Sequence, residues 1–369
     1  MRITGWRIAR LQIPLRRPFR TALRSVDQID DRVLLLNTDA GLNGVGSAAA
    51  TPQITGATHV DTVAAWRRLA PALVGQSVAD LPRLLQALAT ESGVSSNGRA
   101  GIDVALHDLW GHWRGLPLHR CLVDEAGDRP VLQTDLTISV DTPARMAEAC
   151  RSALDEGYRH LKIKLGREPE TDLARLQAID ATVSRQAALR LDANQGWNEA
   201  QTMSLLRGLA ASGINAELLE QPLPAADLAG MGRIAAATEV PLLADESIHD
   251  EQDLPALLQH HAAGLINIKL QKSGGLAPAL RVAQAARAAS LELLVGCMLE
   301  SPIGVTAAAH LAWACGIERV DLDAPALAAA QPVRGTVCFD GPRIRVGDGP
   351  GLGIEAIEGL QWLSAGERE

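Results

Sequence analysis

The sequence predicts an α/β protein whose larger part is a parallel (β/α)7β barrel, and two patterns in its 369 residues support this fold class. From about residue 130 onward, eight short apolar runs alternate with seven stretches of helical periodicity, as expected for strands and crossover helices of a closed barrel. Apolar residues make up 47% of the chain and aromatic residues only 3%, so small aliphatic side chains dominate the expected core. Such side chains suit barrel strands that helices cover from outside.

The N-terminal part has a different pattern and predicts a smaller α+β unit. ITGWRIARLQIP and DRVLLLNTD are strand-like, and GLNGVG is rich in turn residues. Residues 58–120 place apolar side chains at spacings of three and four, which indicates helices. We therefore expect residues 1–125 to form a capping domain on the barrel.

The barrel itself is expected to span residues 126–328. Its predicted strands are, in order, VLQTDLTISV, HLKIKL, ALRLDA, AELLE, PLLAD, GLINIKL, LELLVG and ERVDLD. An open doubly wound sheet is the alternative, but no G-x-G-x-x-G motif opens a helix after the first strand. Residues 329–369 are strand- and turn-like again. The predicted fold is thus a modified TIM barrel with an α+β N-terminal capping domain, completed by a C-terminal tail that returns to the cap.

Charge and cysteine content argue against several classes of function. The net charge of −8 disfavours nucleic acid as a partner, and the sequence has no run of about 18 apolar residues that would span a membrane. The five cysteines are odd in number and scattered, and they form no C-x-x-C pair. That pattern disfavours a disulfide framework and a zinc knuckle, so a reducing cytoplasm is the expected location.

Three carboxylates close successive predicted strands of the barrel. Asp192, Glu220 and Asp245 recur at intervals of 25 to 28 residues, the length of one strand–helix unit. Because barrel active sites form where the strands end, we expect these carboxylates to share the barrel mouth. Oxygen ligands without a neighbouring cysteine or histidine suit Mg²⁺ better than Zn²⁺. A helix N-cap is the alternative for any one of them, but their repetition favours a metal site.

Lysines end the predicted strands on either side of these carboxylates. Lys162 and Lys164 are two residues apart and share one strand face, whereas Lys269 ends the sixth strand, across the barrel. Lysines at a barrel mouth are costly unless they are paired or used, although a solvated strand end is the alternative for the first two. Two amines on opposite sides of a substrate can remove a proton from one face and return one to the other, which is the geometry of racemisation.

The motifs K-x-K, D-A-N, E-Q-P, A-D-E-S and I-N-I-K together resemble those of the enolase superfamily, in its muconate-lactonizing subgroup. The resemblance covers nearly the whole chain, including the α+β cap. It implies that the three strand-end carboxylates bind Mg²⁺ and that Lys164 and Lys269 are the acid/base pair. It also implies that Lys162 helps to neutralise the carboxylate of the substrate.

Two further carboxylates, Asp321 and Asp323, end the predicted eighth strand and face the same side because they are two residues apart. Without a metal role they suit a substrate ammonium group, and a D-x-D here is similar to the dipeptide epimerases of the subgroup. A turn before Pro325 is the alternative. The neighbouring VGCMLESPIG resembles the seventh-strand loop of those enzymes, so Cys297 and Met298 are expected to contact substrate, with apolar packing as the alternative.

The predicted cap contributes a basic segment, RRPFRTALRSV. The resemblance implies that the loop RTALRSV closes over the barrel and that Arg24 meets the side-chain carboxylate of a C-terminal glutamate, which arginine can bind with two hydrogen bonds. A solvated basic stretch is the alternative for this arginine. ATPQITGAT resembles a second loop of the same lid. Thr137, on the first barrel strand, is expected to hydrogen-bond the substrate or to be satisfied within the strand.

The resemblance implies an isomerase that epimerises dipeptides, foremost L-Ala-D/L-Glu, by proton transfer between two lysines through a metal-stabilised enediolate. A role in murein peptide metabolism and assembly into a homo-oligomer are expected, with no nucleic acid or membrane partner. The alternatives within the subgroup are N-succinylamino acid racemase, o-succinylbenzoate synthase and muconate cycloisomerase. Their substrates lack a free ammonium group, which would leave Asp321 and Asp323 without a charge partner. A non-catalytic binding protein is disfavoured because every expected metal and lysine position is filled.

Overall fold

The computed structural model describes residues 1–22, 24–123, 131–166 and 168–364. The chain begins with an antiparallel meander of β1 (Ile3–Arg20), β2 (Ser25–Thr38) and β3 (Asn43–Ala49). Alternate residues of these strands, such as Ile8 and Leu34, pack with Trp66 in a core of their own. One face of the sheet is thus buried against helices, whereas residues of the other face, such as Val33 and Leu35, join the larger core.

The cap helices are α1 (Pro52–Thr55), α2 (His59–Leu73), α3 (Leu81–Thr90), α4 (Ser96–Arg114) and α5 (Leu118–Leu122). Of these, α2, α3 and α4 supply the apolar residues that cover the first of these two faces. Helix α2 begins with a capping box between Thr58 and Asp61. Helix α4 packs so closely on β3 that a Cβ atom on Gly46 would lie 1.9 Å from the carbonyl oxygen of Gly101. Glycine at these positions is what permits the close contact between helix and sheet.

In the described part of the chain, eight parallel strands form the barrel. The first is split into β4 (Leu132–Thr134) and β5 (Leu136–Ile138); the others are β6 (His160–Lys164), β7 (Ala188–Asp192), β8 (Leu218–Glu220), β9 (Leu242–Ala244), β10 (Leu265–Ile268), β11 (Glu292–Gly296) and β12 (Arg319–Asp321). β4 pairs with β12 and β5 pairs with β6, so the sheet closes on itself at Asp135, which separates the two halves. The predicted fold class is confirmed.

Helices follow the barrel strands, and most of them cover the barrel from outside. They are α6 (Pro143–Asp155), α7 (Pro169–Val183), α8 (Glu199–Ser212), α9 (Leu228–Ala236), α10 (Leu254–Gln259), α11 (Leu270–Ser273), α12 (Leu276–Ala288), α13 (Pro302–Cys315) and α14 (Ala324–Leu327). Outward-facing strand residues such as Leu161, Leu191 and Ile266 join these helices in one large apolar core. The inward-facing residues are not part of this core and can have a different composition.

The barrel interior has its own composition. Four leucines on consecutive strands form a cluster separate from the outer core: Leu218, Leu243, Leu265 and Leu294. On the remaining strands, buried charged side chains take inner positions: Asp135, Lys162, Arg190 and Asp321. The interior is thus apolar on one half of the barrel and ionic on the other.

The C-terminal tail contacts both the barrel and the cap. Its strands are β13 (Val333–Gly335), β14 (Cys338–Asp340), β15 (Arg343–Arg345), β16 (Ile354–Ile357) and β17 (Gln361–Trp362). β15 pairs with β4 of the barrel, whereas β17 pairs with β1 of the cap. The predicted boundary between residues 125 and 126 lies outside the described residues, so the division into 1–125, 126–328 and 329–369 stays a prediction.

Among the helices of the described residues, none combines the length and the hydrophobicity that a bilayer crossing requires. All five cysteines are free thiols.

Candidate active site

Three buried carboxylates lie side by side at the mouth of the barrel. Asp192 and Glu220 are the last residues of β7 and β8 and are register partners, and Asp245 follows directly after β9. Their exposure is 2% or less. Parallel strands bring their carboxyl ends to the same edge of the sheet, and for this reason residues far apart in sequence meet here.

Two lysines each hold one of these carboxylates. The Nζ of Lys164 donates to Oδ2 of Asp192 at 2.6 Å, and the Nζ of Lys269 donates to Oδ2 of Asp245 at 2.7 Å. Lys164 ends β6 and Lys269 follows β10, and the strands of the three carboxylates lie between them in the barrel. The two ammonium groups therefore approach the carboxylate cluster from different sides.

Lys162 lies two residues further into the barrel than Lys164. Its Nζ is 2.7 Å from Glu220, 2.7 Å from Asp321 and 3.0 Å from Asp192. Burial alone would lower the pKa of Lys162, but the negative charges of Asp321 and Glu220 outweigh it and raise that pKa well above its usual value. In this position Lys162 neutralises the strand-end carboxylates themselves, and its expected role toward a substrate carboxylate stays a prediction.

Positive charge is unevenly distributed over the carboxylate cluster. Although burial opposes it, the nearby lysines lower the pKa of Asp192 to about 2 and hold that of Asp245 well below its usual value. Burial together with the charge of Asp192 raises the pKa of Glu220 to about 7, and burial together with Asp245 raises the pKa of Glu246 to about 8. Within the described residues, Oε2 of Glu246 and Oδ1 of Asn194 are buried without a hydrogen-bond partner. A divalent cation would relieve both deficits, and an all-oxygen donor set suits Mg²⁺. The residues present therefore fit this ion.

A second carboxylate cluster lies on the other side of the mouth. Oδ2 of Asp321 accepts a hydrogen bond from Lys162, and Oδ2 of Asp323 accepts one from the backbone N–H of Thr137 at 2.6 Å. Asp135 is the third member, and one oxygen from each of the three carboxylates lies within 4.8 Å of the others. The structure thus places the predicted pair Asp321 and Asp323 beside Thr137, and it adds a carboxylate that the sequence analysis did not single out.

The cap closes a cavity above the lysines. The cap contributes Arg24 and Ile54, and the barrel contributes, among others, Lys164, Lys269, Cys297 and Met298. Ile54 lies in the short helix α1, within the predicted second lid loop. Arg24 is partly buried, which lowers its pKa, and no carboxylate of the described residues pairs with it. An unpaired guanidinium group in this cavity leaves room for an acidic ligand.

Two residues that hold the strand-end carboxylates were missed by the sequence analysis. Lys272 is buried and donates to Oδ1 of Asp245 at 2.5 Å, and Nδ2 of Asn267 donates to Oε1 of Glu220 at 3.0 Å. Asn267 precedes Lys269 by two residues, so a shared strand face was a usable signal. Lys272 lies in helix α11, where a lysine is ordinarily solvent-exposed, and the sequence gives no local sign of its burial.

The sequence analysis also missed Gln271 and Glu300. These residues connect the cap, helix α11 and the loop after β11. Nε2 of Gln271 donates to the carbonyl oxygen of Ser47 in β3 at 3.2 Å and to Oε2 of Glu300 at 3.1 Å. Oε1 of Glu300 accepts the backbone N–H of Met298 at 2.9 Å. Burial and the charge of Asp31 raise the pKa of Glu300 to about 8. This network fixes the loop of Cys297 and Met298 relative to the cap.

Comparisons with known proteins match both parts of the chain. The family described as Mandelate racemase / muconate lactonizing enzyme, N-terminal domain, matches residues 3–122, and the family described as Enolase C-terminal domain-like matches residues 145–359. The chain is 38% identical to the L-Ala-D/L-Glu epimerase of Clostridium acetobutylicum, over 95% of this chain and 98% of that relative.

Two solved structures are similar over nearly their full length. The substrate-liganded complex of the L-Ala-D/L-Glu epimerase from Bacillus subtilis has a TM-score of 0.92 and 37% identity, covering 97% of this chain and 99% of the other. The dipeptide epimerase from Enterococcus faecalis, complexed with Mg and the dipeptide L-Leu-L-Tyr, has a TM-score of 0.91 and 34% identity, covering 96% and 99%.

Proposed function

We propose that this chain, which belongs to the mandelate racemase / muconate lactonizing enzyme family of the enolase superfamily, is an isomerase that epimerises dipeptides with Mg²⁺ as cofactor. The observation that carries the proposal is the position of Lys164 and Lys269, on strands that enclose the three carboxylate strands, with both side chains lining one cavity. The names of the similar proteins support the same reaction, and the Enterococcus faecalis structure contains both Mg and a dipeptide.

Asp192, Glu220 and Asp245 would hold the ion. Bound there, Mg²⁺ supplies positive charge that offsets the second negative charge formed when a proton leaves the carbon next to a carboxylate. Lys272 and Asn267 keep two of the ligands in place through their hydrogen bonds to Asp245 and Glu220. Such partners of ligand residues commonly set both orientation and basicity of a metal site.

Lys164 and Lys269 would move the proton. The lysine that is neutral on one face of the substrate accepts the α-proton of the second residue, and the ammonium group on the other face donates a proton to the same carbon. The configuration at that carbon is inverted. For the opposite epimer the two lysines exchange roles, so the same site works in both directions.

The ends of the dipeptide have separate partners in this proposal. Asp321 and Asp323 bind the free ammonium group of the first residue, and Arg24 binds an acidic side chain on the second. Thr137, Cys297 and Met298 surround the backbone between them. Since Arg24 has no carboxylate partner among the described residues, an acidic second residue satisfies it better than an apolar one, which favours L-Ala-D/L-Glu. N-succinyl substrates would leave Asp321 and Asp323 facing no cation, which disfavours the other activities of the subgroup.

Exchange of the α-proton in D₂O, followed by NMR in the presence of Mg²⁺, tests the proposal. Wild-type protein should exchange and epimerise L-Ala-L-Glu. K164A and K269A should each reduce epimerisation by about 10²- to 10⁴-fold, while each retains exchange with one epimer, a different one for each variant. Exchange of N-succinylamino acids without exchange of L-Ala-L-Glu would contradict the proposal, and so would loss of exchange with both epimers in both variants.

The preference for an acidic second residue is read in the same assay. R24M should lower kcat/KM for L-Ala-L-Glu by about 10- to 100-fold because a charged hydrogen bond is lost, and it should leave L-Ala-L-Leu nearly unchanged. R20M is the matched control, since Arg20 is exposed and pairs with Asp141. Equal losses for both dipeptides in R24M would contradict the role of Arg24.

We further propose that the enzyme works in the cytoplasm on peptides released from murein and that it forms homo-oligomers. The free state of all five cysteines supports a reducing location. An L-Ala-L/D-Glu unit as substrate supports the link to murein. The same proposal retains the division into a cap of residues 1–125, a barrel of residues 126–328 and a tail of residues 329–369.

A further inference from the structure

Asp135 occupies an unusual position in the barrel. It is the residue that interrupts the first strand between β4 and β5, and it is fully buried, with 0% exposure. One of its carboxylate oxygens lies within 4.8 Å of oxygens from both Asp321 and Asp323. Asp135 is therefore part of the carboxylate cluster to which the substrate ammonium group is assigned above.

The charges around this cluster do not balance. Arg190 donates from Nη1 to Oδ2 of Asp135 at 2.9 Å, and Lys162 donates to Oδ2 of Asp321 at 2.7 Å. Lys162 is also shared with Asp192 and Glu220. Arg190 is likewise shared with Glu217. The three clustered carboxylates thus have only a share of one guanidinium group and a share of one ammonium group among the described residues.

An unsatisfied oxygen marks the place of the missing charge. Oδ1 of Asp135 is buried and has no hydrogen-bond partner within the described part of the chain. A buried acceptor without a partner is unfavourable. Burial and the charge of Asp321 also raise the pKa of the Asp135 carboxyl well above its usual value. A cation that entered the cluster would give Oδ1 a partner and would stabilise the ionised carboxylate.

We propose that Asp135 is the third carboxylate of the ammonium site and determines the preference of the enzyme for a free amino terminus. An ammonium group has three N–H donors, which matches one donor for each of Asp135, Asp321 and Asp323. The inference rests on the proposed dipeptide epimerase activity and deepens it. Arg190 then acts as a positioning residue, because its hydrogen bond to Oδ2 holds the Asp135 carboxylate in its place beside the cluster.

The test compares two substrates that differ in one group. L-Ala-L-Glu carries the ammonium group, and L-lactyl-L-Glu carries a hydroxyl group of similar size in its place. D135N keeps an amide oxygen that can accept from Arg190 and removes the negative charge. We expect D135N to raise KM for L-Ala-L-Glu by about 10- to 100-fold with little change in kcat, and to leave KM for L-lactyl-L-Glu unchanged.

Asp108 offers the matched control. It is a buried carboxylate of the cap that accepts the backbone N–H groups of Val45 and Leu352. D108N should change neither KM. Equal weakening of both substrates by D135N would overturn the inference, because it would show that Asp135 only holds the barrel together.

A metal ion in this cluster is the competing occupant. In that case D135N would raise the Mg²⁺ concentration needed for half-maximal rate equally for both substrates, which would also overturn the inference. Wild-type exchange of L-Ala-L-Glu is measured first. Its absence would refute the proposed function itself, whereas a wild type that exchanges and a D135N variant without selectivity would refute only the role of Asp135.

Discussion

The two halves of the barrel interior differ in the side chains that line them. On β8 to β11 the inner positions below the mouth hold four leucines that pack on one another. On β12, the split first strand, β6 and β7 the inner positions at and below the mouth hold Asp321, Asp135, Lys162 and Arg190. These residues are joined by the pairs Lys162–Asp321 at 2.7 Å and Arg190–Asp135 at 2.9 Å. The leucine half provides a buried apolar floor, whereas the ionic half extends the charge of the mouth into the barrel.

We interpret this difference as a division of roles: the leucine half stabilises the fold, and the ionic half serves binding. Buried leucines stabilise a fold directly, whereas a buried ionic network is often no better for stability than apolar packing of the same volume. Burial of these charges carries a desolvation penalty, so we attribute their presence to a role in binding. The comparison predicts that substitutions in the ionic half change activity and stability together, while substitutions in the leucine half change stability alone.

The largest effect is expected for K162M. Glu220, Asp321 and Asp192 would lose their shared counter-charge, so the free energy of unfolding in EDTA should fall by about 3–5 kcal/mol. Mg²⁺ affinity or turnover should also fall by about 10- to 100-fold or more. Urea titration followed by circular dichroism measures the first effect, and α-proton exchange measures the second. Wild-type stability together with wild-type activity in K162M would remove the basis of the comparison.

L243A probes the leucine half at a comparable depth. Leu243 is fully buried against Leu218 and Leu265, so the cavity left by truncation should lower the free energy of unfolding by about 2–5 kcal/mol. The same urea titration checks this value. At a temperature where the variant is folded, kcat/KM for L-Ala-L-Glu should stay close to wild type. A loss of activity as large as that of K162M would show that the leucine floor also positions the ligands.

The smallest effect is expected at the lower end of the ionic half. Burial alone would raise the pKa of Glu217, but hydrogen bonds from His160 and Arg190 outweigh it and lower that pKa to about 2. Because this pKa is lower in the folded state, the stabilisation is present above about pH 4.5 and is lost as pH falls toward 2. Wild type should therefore lose about 1–2 kcal/mol more than E217Q over that range, allowing for partial exposure to solvent.

Urea midpoints at several pH values measure this difference. E358Q is the control, because Glu358 is exposed and pairs with Arg334 on the surface. Its pH profile should follow that of wild type. Parallel profiles for E217Q and wild type would mean that the network of Glu217, Arg190 and His160 contributes nothing to the fold.

The sequence was most informative where the signal is local. The alternation of apolar runs and helical stretches predicts the barrel, and a charged residue at the end of an apolar run predicts its place at the mouth, as for Asp192 and Lys269. The split of the first strand at Asp135 has no such signal. Nor does the pairing of β15 with β4, which joins the tail to the barrel in addition to its contact with the cap.

Lys162 and Asp321 of the ionic half were singled out as site residues, but the pairing within this half escaped prediction because its partners are distant in sequence. Arg190 and Asp135 are 55 residues apart, and Lys162 and Asp321 are 159 residues apart. A lysine beside an apolar residue can be assigned to a strand face, but its partner across a barrel depends on closure of the whole sheet. The lone signal was a spacing of two: Arg190 precedes Asp192, and Asp135 precedes Thr137, on the same strand face.

Gln271 has a consequence for recombining this protein with its relatives. It lies two residues after Lys269, and its side-chain amide donates to the carbonyl oxygen of Ser47 in β3. The cap is therefore held by the same short segment that carries one of the proposed proton-transferring lysines. A chimaera that grafts a foreign cap onto this barrel must keep the backbone of β3 within hydrogen-bond reach of Gln271. Otherwise the exchange of specificity would displace the lysine along with the lid.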